Sequence, residues 1–230
     1  MKKGDNMTHL RETPWDKRNF NINTYEMLTT DEEALKETEQ HEGHYTIKIS
    51  PLENTKPLLD HGFYYVDTLI EPVCKKDNLT LFHEDHTSLS TNYNPDEILE
   101  IAEEVFTHGR FHRDFNIPDS MADTRYMNWV NDLIESGKII ALNYDNDTAG
   151  FYGFESDKVL LLGMREEYRS RGLAKAFTSM ACKEQLKSGY DELYTSISAA
   201  NVASLNLFYA LGFRLKNTVD VYHKLNGEVT

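Results

Sequence analysis

LLLGMREEYRSRG, Leu160 to Gly172, is the stretch on which the reading of this chain turns. The apolar run Val159 to Leu162 predicts a buried strand, and Gly163 follows it. A polar turn then carries Arg169, Ser170, Arg171, Gly172, Leu173 and Ala174. Leu173, Ala176, Phe177, Met180 and Ala181 recur at helical spacing, so an amphipathic helix starts at once. Where a strand, a glycine-containing turn and a helix follow one another, the free N–H groups of the helix start face one point. With the helix dipole they can hold a phosphate without basic side chains. The stretch therefore predicts a site for a phosphorylated molecule.

Outward from this turn, the pattern from Asn94 onward is α-α-β-β-β-α-β-α-β. Asn94 and Pro95 mark a helix start, as N-cap and first helical residue. Ser120 or Asp119 caps the second helix. Residues Lys138 to Leu142 and Gly150 to Phe154 form a hairpin, Leu193 to Ile197 a further strand, and Phe213 to Leu225 the last. Asn201 caps a short helix that Gly212 ends. Upstream, Asp16 to Lys75 reads β-α-β-α-β, with strands in Phe20–Leu28, His44–Ser50 and Phe63–Val73. The second helix there, Leu52 to His61, closes at Gly62. The polar segment up to Trp15 reads as loosely held, and a junction near Ser90 divides the chain into residues 1–90 and 91–230. The fold class is α/β, with an α+β mixed sheet.

The 230 residues carry 24 basic and 38 acidic side chains, a net charge of −14. Such a surface repels nucleic acid and anionic membrane, and an anionic ligand needs a local basic or N–H-rich pocket. No stretch approaches the ~20 apolar residues of a membrane span. The first residues show no secretory signal. Cys74 and Cys182 stand far apart, which suits a reduced, cytoplasmic setting. The pairs His41/His44 and His83/His86 lack a zinc-site pattern and read as solvated histidines, so no metal is expected.

Two motifs resemble the GNAT family of acyl-CoA N-acyltransferases. Arg169-Ser170-Arg171-Gly172-Leu173-Ala174 fits the family pattern Gln/Arg-x-x-Gly-x-Gly/Ala. Asn201 to Phe213 is similar to its second signature, with Asn201, Ser204, Leu207, Gly212 and Phe213 in register. One position departs: Phe208 fills the tyrosine slot, and Tyr209 comes one residue late. A narrower resemblance, carried by WDKRNF, GFYYVD, GRFHRDFNIPDSMADTRYMNWV and VYHKL, is to the branch that acetylates dTDP-fucosamine. It implies a GNAT fold preceded by a smaller βαβαβ domain that contributes to the acceptor site.

The resemblance also implies roles. The N–H groups of Arg171, Gly172, Leu173 and Ala174 bind the pyrophosphate of acetyl-CoA, the co-substrate, with a Cβ at position 172 in the way. Arg169 and Arg171 add charge at its adenosine end. A bulge at Gly163 frees backbone groups near Leu162 and Met164 for pantetheine and the acetyl carbonyl. Asn201 and Asn206 hydrogen-bond CoA, or Asn201 only caps its helix. The general acid is Tyr209 or a water. Asp67 is the general base, through a water if need be, or a solvated strand aspartate. Arg110, His112 and Arg113 form a cationic patch for a nucleotide-sugar acceptor. Phe111 and Tyr126 offer it aromatic surface, whereas spacing puts Trp129 in the core. A homodimer is expected. The rival readings are acetylation of a polyamine, peptide N-terminus or antibiotic, and a non-catalytic acyl-CoA-binding module.

Overall fold

The structure, a computed structural model, describes residues 9–106 and 109–229. In chain order the elements are β1 (Leu10–Glu12), α1 (Pro14–Phe20), β2 (Thr24–Met27), α2 (Glu32–Gln40), β3 (Gly43–Ile49), α3 (Lys56–Asp60) and β4 (Tyr64–Lys75). There follow β5 (Thr87–Ser90), α4 (Pro95–Val105), α5 (Asp119–Glu135), β6 (Ile139–Tyr144), β7 (Asp147–Glu155) and β8 (Lys158–Met164). The chain continues through α6 (Leu173–Leu186), β9 (Glu192–Thr195), β10 (Ile197–Ser198), α7 (Val202–Ala210) and β11 (Arg214–Asn226).

The chain divides into two compact units, and they interleave in sequence. One comprises Met1–Leu69, His108–Arg125 and Thr218–Thr230; the other comprises Ile70–Thr107 and Tyr126–Asn217. The sequence reading cuts the chain once, near Ser90. No composition shift marks the observed division, because it runs through the middle of β4 and β11.

In the first unit the strands run β1-β2-β3-β11-β4. β2 and β3 are parallel, and β11 returns antiparallel to β3 from Asp220↔Ile49 to Asn226↔Gly43. Tyr25, Tyr45, Ile47 and Ile49 pack with Ala34 and Leu35 of α2 in one buried cluster. Two expectations are corrected here. Residues 10–12 are a strand paired with β2 rather than a loose tail; residues 1–8 lie outside the described residues. Phe20 ends a helix rather than starting a strand. Pro14 at the first turn favours that helix, and Asn21, in the left-handed region at φ 52°, stops it. α2 lacks a basic last turn, and β11 supplies what it lacks. Lys224 donates to Thr38 Oγ1 at 2.9 Å, and Asn226 Nδ2 donates to the carbonyls of Thr38 and His41.

In the second unit the order is β4-β9-β8-β7-β6-β5, with β10 against β4. Alternation along β6 and β7 separates two cores. Ile140, Leu142 and Tyr152 face Phe177 and Ala181 of α6, while Ile139, Ala141 and Phe151 face Ile98, Ile101 and Val130 of α4 and α5. On the α6 side Tyr152 OH donates to Gln185 Oε1 at 2.6 Å, and Gln185 Nε2 donates to Ser156 O at 2.8 Å, a buried polar tie. No helix among the described residues is long and apolar enough to cross a membrane.

Candidate functional site

β8 is paired with β7 from Glu155↔Lys158 to Gly150↔Met164, with one register shift. On its other side it pairs with β9 only at Lys158↔Tyr194 and Val159↔Thr195. Past Val159 these parallel strands part. Arg165 N–H donates to Ala149 O on the β7 side, so strand alternation turns the backbone groups of Leu162 and Met164 to the open edge. An extended, amide-bearing ligand can add itself to such an edge.

The bulge expected at Gly163 lies elsewhere. The β7–β8 register shifts between Gly153 and Phe154, leaving Leu160 as the extra residue at the point where β8 leaves β9. A bulge bends and twists its strand, which accounts for the parting. Gly163 instead makes room for an aromatic ring: a Cβ there would lie 2.5 Å from Phe151 Cε1.

Beyond β8 the chain folds back on it. Arg169 Nε donates to Met164 O at 2.8 Å. Ser170 and Gly172 both have positive φ, at 58° and 82°. A Cβ on Gly172 would meet nothing within 4 Å, so within the protein it is the backbone conformation, not space, that calls for glycine. α6 then begins with no side-chain cap, and its first N–H groups, Leu173 and Ala174 among them, have no intrahelical acceptor. The Arg171 guanidinium stacks over Tyr144 at 4.9 Å and Tyr168 at 5.5 Å, which places a cation beside this helix start.

In α7, Asn201 Oδ1 accepts from Ser204 N at 3.0 Å and caps the helix. Asn206 is exposed. Phe208 is buried, edge-on to Phe213 with ring centroids 4.9 Å apart. One helical step turns the next side chain by about 100°. Tyr209 is accordingly 62% exposed, with the Arg214 guanidinium 4.5 Å over its ring.

The acceptor-side residues of the sequence reading fall in both units. In the first unit Asp67, only 1% exposed, accepts from Arg113 NH1 at 2.7 Å. Asp67 is thus a buried, ion-paired carboxylate rather than a solvated one. His112 accepts from Gly109 N–H on Nδ1 at 3.1 Å, which leaves Nε2–H to donate to Asp123 Oδ1 at 2.9 Å. It clasps the loop to α5. Phe111 is fully buried, with Arg110 at 4.8 Å and Arg125 at 4.4 Å over its ring. It offers no surface to a ligand. Tyr126 belongs to the second unit and is stacked on Phe106, centroids 5.1 Å apart.

One constellation escapes the sequence reading. Asp114 Oδ2 accepts from His44 Nε2 at 2.9 Å and from His223 Nδ1 at 2.7 Å. Its Oδ1 accepts from Tyr64 OH at 2.8 Å and Asn116 N at 3.0 Å. His44, read as solvated, is therefore a core residue at 2% exposure. The three groups are close enough to suggest metal ligands, but their separations are those of hydrogen bonds, and four donors saturate the carboxylate. Burial alone would raise the Asp114 carboxyl; the bonds from His223 and His44 outweigh it and hold it well below the usual range. Burial pushes His223 down to about 3, against the bond to Asp114. Its Nε2 is buried with no hydrogen-bond partner.

No family model matches the sequence, and no curated protein matches it. Solved structures do match. A GCN5-related N-acetyltransferase from Sphaerobacter thermophilus superposes with a TM-score of 0.55 at 15% identity, over 82% of this chain and 62% of that one. One from Kribbella flavida gives 0.57 at 11% identity, over 89% and 82%. The chain has the GNAT fold. A tandem GNAT protein from the clavulanic acid biosynthesis pathway agrees, with a TM-score of 0.54 at 12% identity over 90% and 76%. These identities establish the architecture and leave substrate and chemistry to the site. The chain spans less than two thirds of the Sphaerobacter protein, so the likeness is to part of that chain. Within the GNAT fold, the parted strands β8 and β9 and the start of α6 make up the candidate functional site.

Proposed function

We propose that this chain is an acetyl-CoA-dependent N-acetyltransferase. The observation that carries the reading is the parting of β8 from β9 at Leu160 in a chain whose next helix starts uncapped. The N–H groups of Arg171, Gly172, Leu173 and Ala174 take the pyrophosphate, with Arg169 and Arg171 supplying charge. Pantetheine lies along the β8 edge. The N–H of Met164 meets the acetyl oxygen and stabilises the oxyanion that forms when the acceptor amine attacks. Collapse of that adduct breaks the C–S bond and expels the CoA thiolate.

The thiolate takes its proton from water. Phe208 has none to give, and the Tyr209 ring is turned out under Arg214. A thiolate whose acid form has a pKa near 8.5 leaves with modest need of a general acid. Asp67, hydrogen-bonded by Arg113, receives the ammonium proton through a water. The acceptor is a nucleotide-linked amino-deoxy sugar of the dTDP-4-amino-4,6-dideoxyhexose type, recognised by the segment Arg110–Arg113. Support for this substrate is the sequence resemblance and a concentration of arginine in a chain of net charge −14.

That same net charge favours a second reading, a polycationic acceptor drawn in by electrostatic steering. Thiol release from acetyl-CoA, measured against dTDP- and UDP-amino sugars and against polyamines and peptides, separates the two. Turnover confined to the polycations would overturn the sugar acceptor. Acetyl-CoA binding with no turnover on any amine would overturn the enzymatic reading altogether.

A further inference from the structure

The segment 109–117 is pinned by three inward side chains, Phe111, Asp114 and Ile117, exposed 0%, 1% and 4%. Between these anchors the chain has to turn other side chains outward. Phe115 is the extreme case, at 78% exposure. Isolated exposed apolar residues are common and signify little, and what sets Phe115 apart is how firmly it is held. Asn116 N–H bonds back to Asp114 Oδ1 at 3.0 Å, which closes a turn around residue 115. Tyr64 donates to that same oxygen at 2.8 Å, and its ring lies 4.5 Å from the Phe115 ring, tilted by 42°. The exposed ring therefore stands against a fixed aromatic support, on a loop whose buried carboxylate takes four hydrogen bonds.

We infer that Phe115 is a stacking platform for the nucleobase of the acceptor, and so a specificity-determining residue. The inference rests on the nucleotide-linked acceptor proposed above. A base needs a flat apolar face that does not have to be ordered when it arrives, and aromatic side chains supply one to any base. A nucleotide also carries phosphate, and Arg113, two residues away, is 35% exposed at its side chain. Guanidinium and aromatic ring on one rigid turn suit a ligand with an anionic group and a planar one. Phe111, one of the two aromatic residues singled out in the sequence, is buried and cannot serve. Asp114 acts as the positioning residue beneath the platform.

The test is binding of dTDP, UDP and inorganic pyrophosphate to the full chain by calorimetry, with Phe115→Ala and Phe115→Tyr beside the wild type. Stacking on an aromatic side chain is worth about 1–3 kcal/mol per base, which converts to a loss of about 5- to 150-fold in dTDP affinity on Phe115→Ala. Phe115→Tyr keeps the affinity within a few-fold. Pyrophosphate and acetyl-CoA bind the alanine variant as they bind the wild type, which also shows that the fold is intact. Unchanged dTDP affinity in Phe115→Ala, with the wild type binding, overturns the platform and leaves the acceptor class standing. A parallel loss of acetyl-CoA affinity overturns it by assigning the ring to the donor. A wild type that binds neither dTDP nor UDP overturns both readings.

Discussion

Arg113 donates to the buried carboxylate of Asp67 across 2.7 Å, and the two ends of that pair are unequally hidden. The Asp67 side chain is 2% exposed and that of Arg113 35%. Removing the guanidinium takes the countercharge from a buried carboxylate, whereas changing both members leaves no unbalanced charge. Arg113→Ala is therefore expected to cost about 2 kcal/mol, discounted for its partial exposure. The double variant Asp67→Asn/Arg113→Ala should cost less than the two single changes added together. Urea denaturation of the four proteins gives the coupling, and strict additivity would show that the pair is energetically idle.

Tyr209→Phe should leave kcat and its pH profile unchanged, because the phenol faces solvent under Arg214. Loss of a basic limb in that profile would make Tyr209 the proton donor after all. Phe208→Tyr places a hydroxyl at a position 4% exposed and packed on Phe213. Without a partner there, the hydroxyl should cost roughly 1–3 kcal/mol in thermal or chemical denaturation.

The two glycines around the β8–α6 turn should respond differently to alanine. Gly172 has φ 82° and open space around it, so Gly172→Ala costs about 1 kcal/mol from backbone strain and weakens acetyl-CoA binding. Gly172→Asn, which tolerates that conformation better, should recover stability. Gly163 has ordinary backbone angles but a Cβ would overlap Phe151. Gly163→Ala therefore costs about 1–3 kcal/mol by overpacking, and asparagine makes it worse. Equal responses at the two sites would refute this separation of strain from space.

Acid should weaken the first unit before it affects the other. His223 is held neutral, its pKa lowered from 6.5 to about 3 by burial. Between those values the unfolded chain binds a proton that the folded chain refuses. Stability is therefore complete above about pH 6.5 and falls as pH drops toward 3. Asp114, also lowered, contributes a further loss at still lower pH, since protonation forfeits its bonds to both histidines. His223→Asn keeps an N–H near the Nδ1 position and removes the titration. Its denaturation midpoint should fall less steeply below pH 6.5 than that of the wild type. Identical slopes would remove His223 from the account.

The second unit was largely legible because its signals are local. Asn94 and Asn201 cap the helices they precede, and the apolar run at Val159 lies on the central strand β8. The free backbone groups of Leu162 and Met164 were legible only through resemblance, since the bulge beside them lies at Leu160, which has no compositional mark. In the first unit, the Asp114 hub joins residues 44, 64, 114 and 223. No period or spacing connects residues so far apart, and histidine beside glutamate and glycine at 41–44 reads as surface. The interleaved division is hidden for the same reason: a strand shared between two units looks like any other strand.

The pairing of β3 with β11 has a consequence for synthesis. Gly43–Ile49 is made long before its partner, Asp220–Asn226. Every segment of the second unit leaves the ribosome before the strand that completes the first. Strands β1–β3 must therefore wait, exposed at one edge, while the second unit folds. A chain halted before Thr218 would present β3 as an open edge, the kind of surface on which β-aggregation starts.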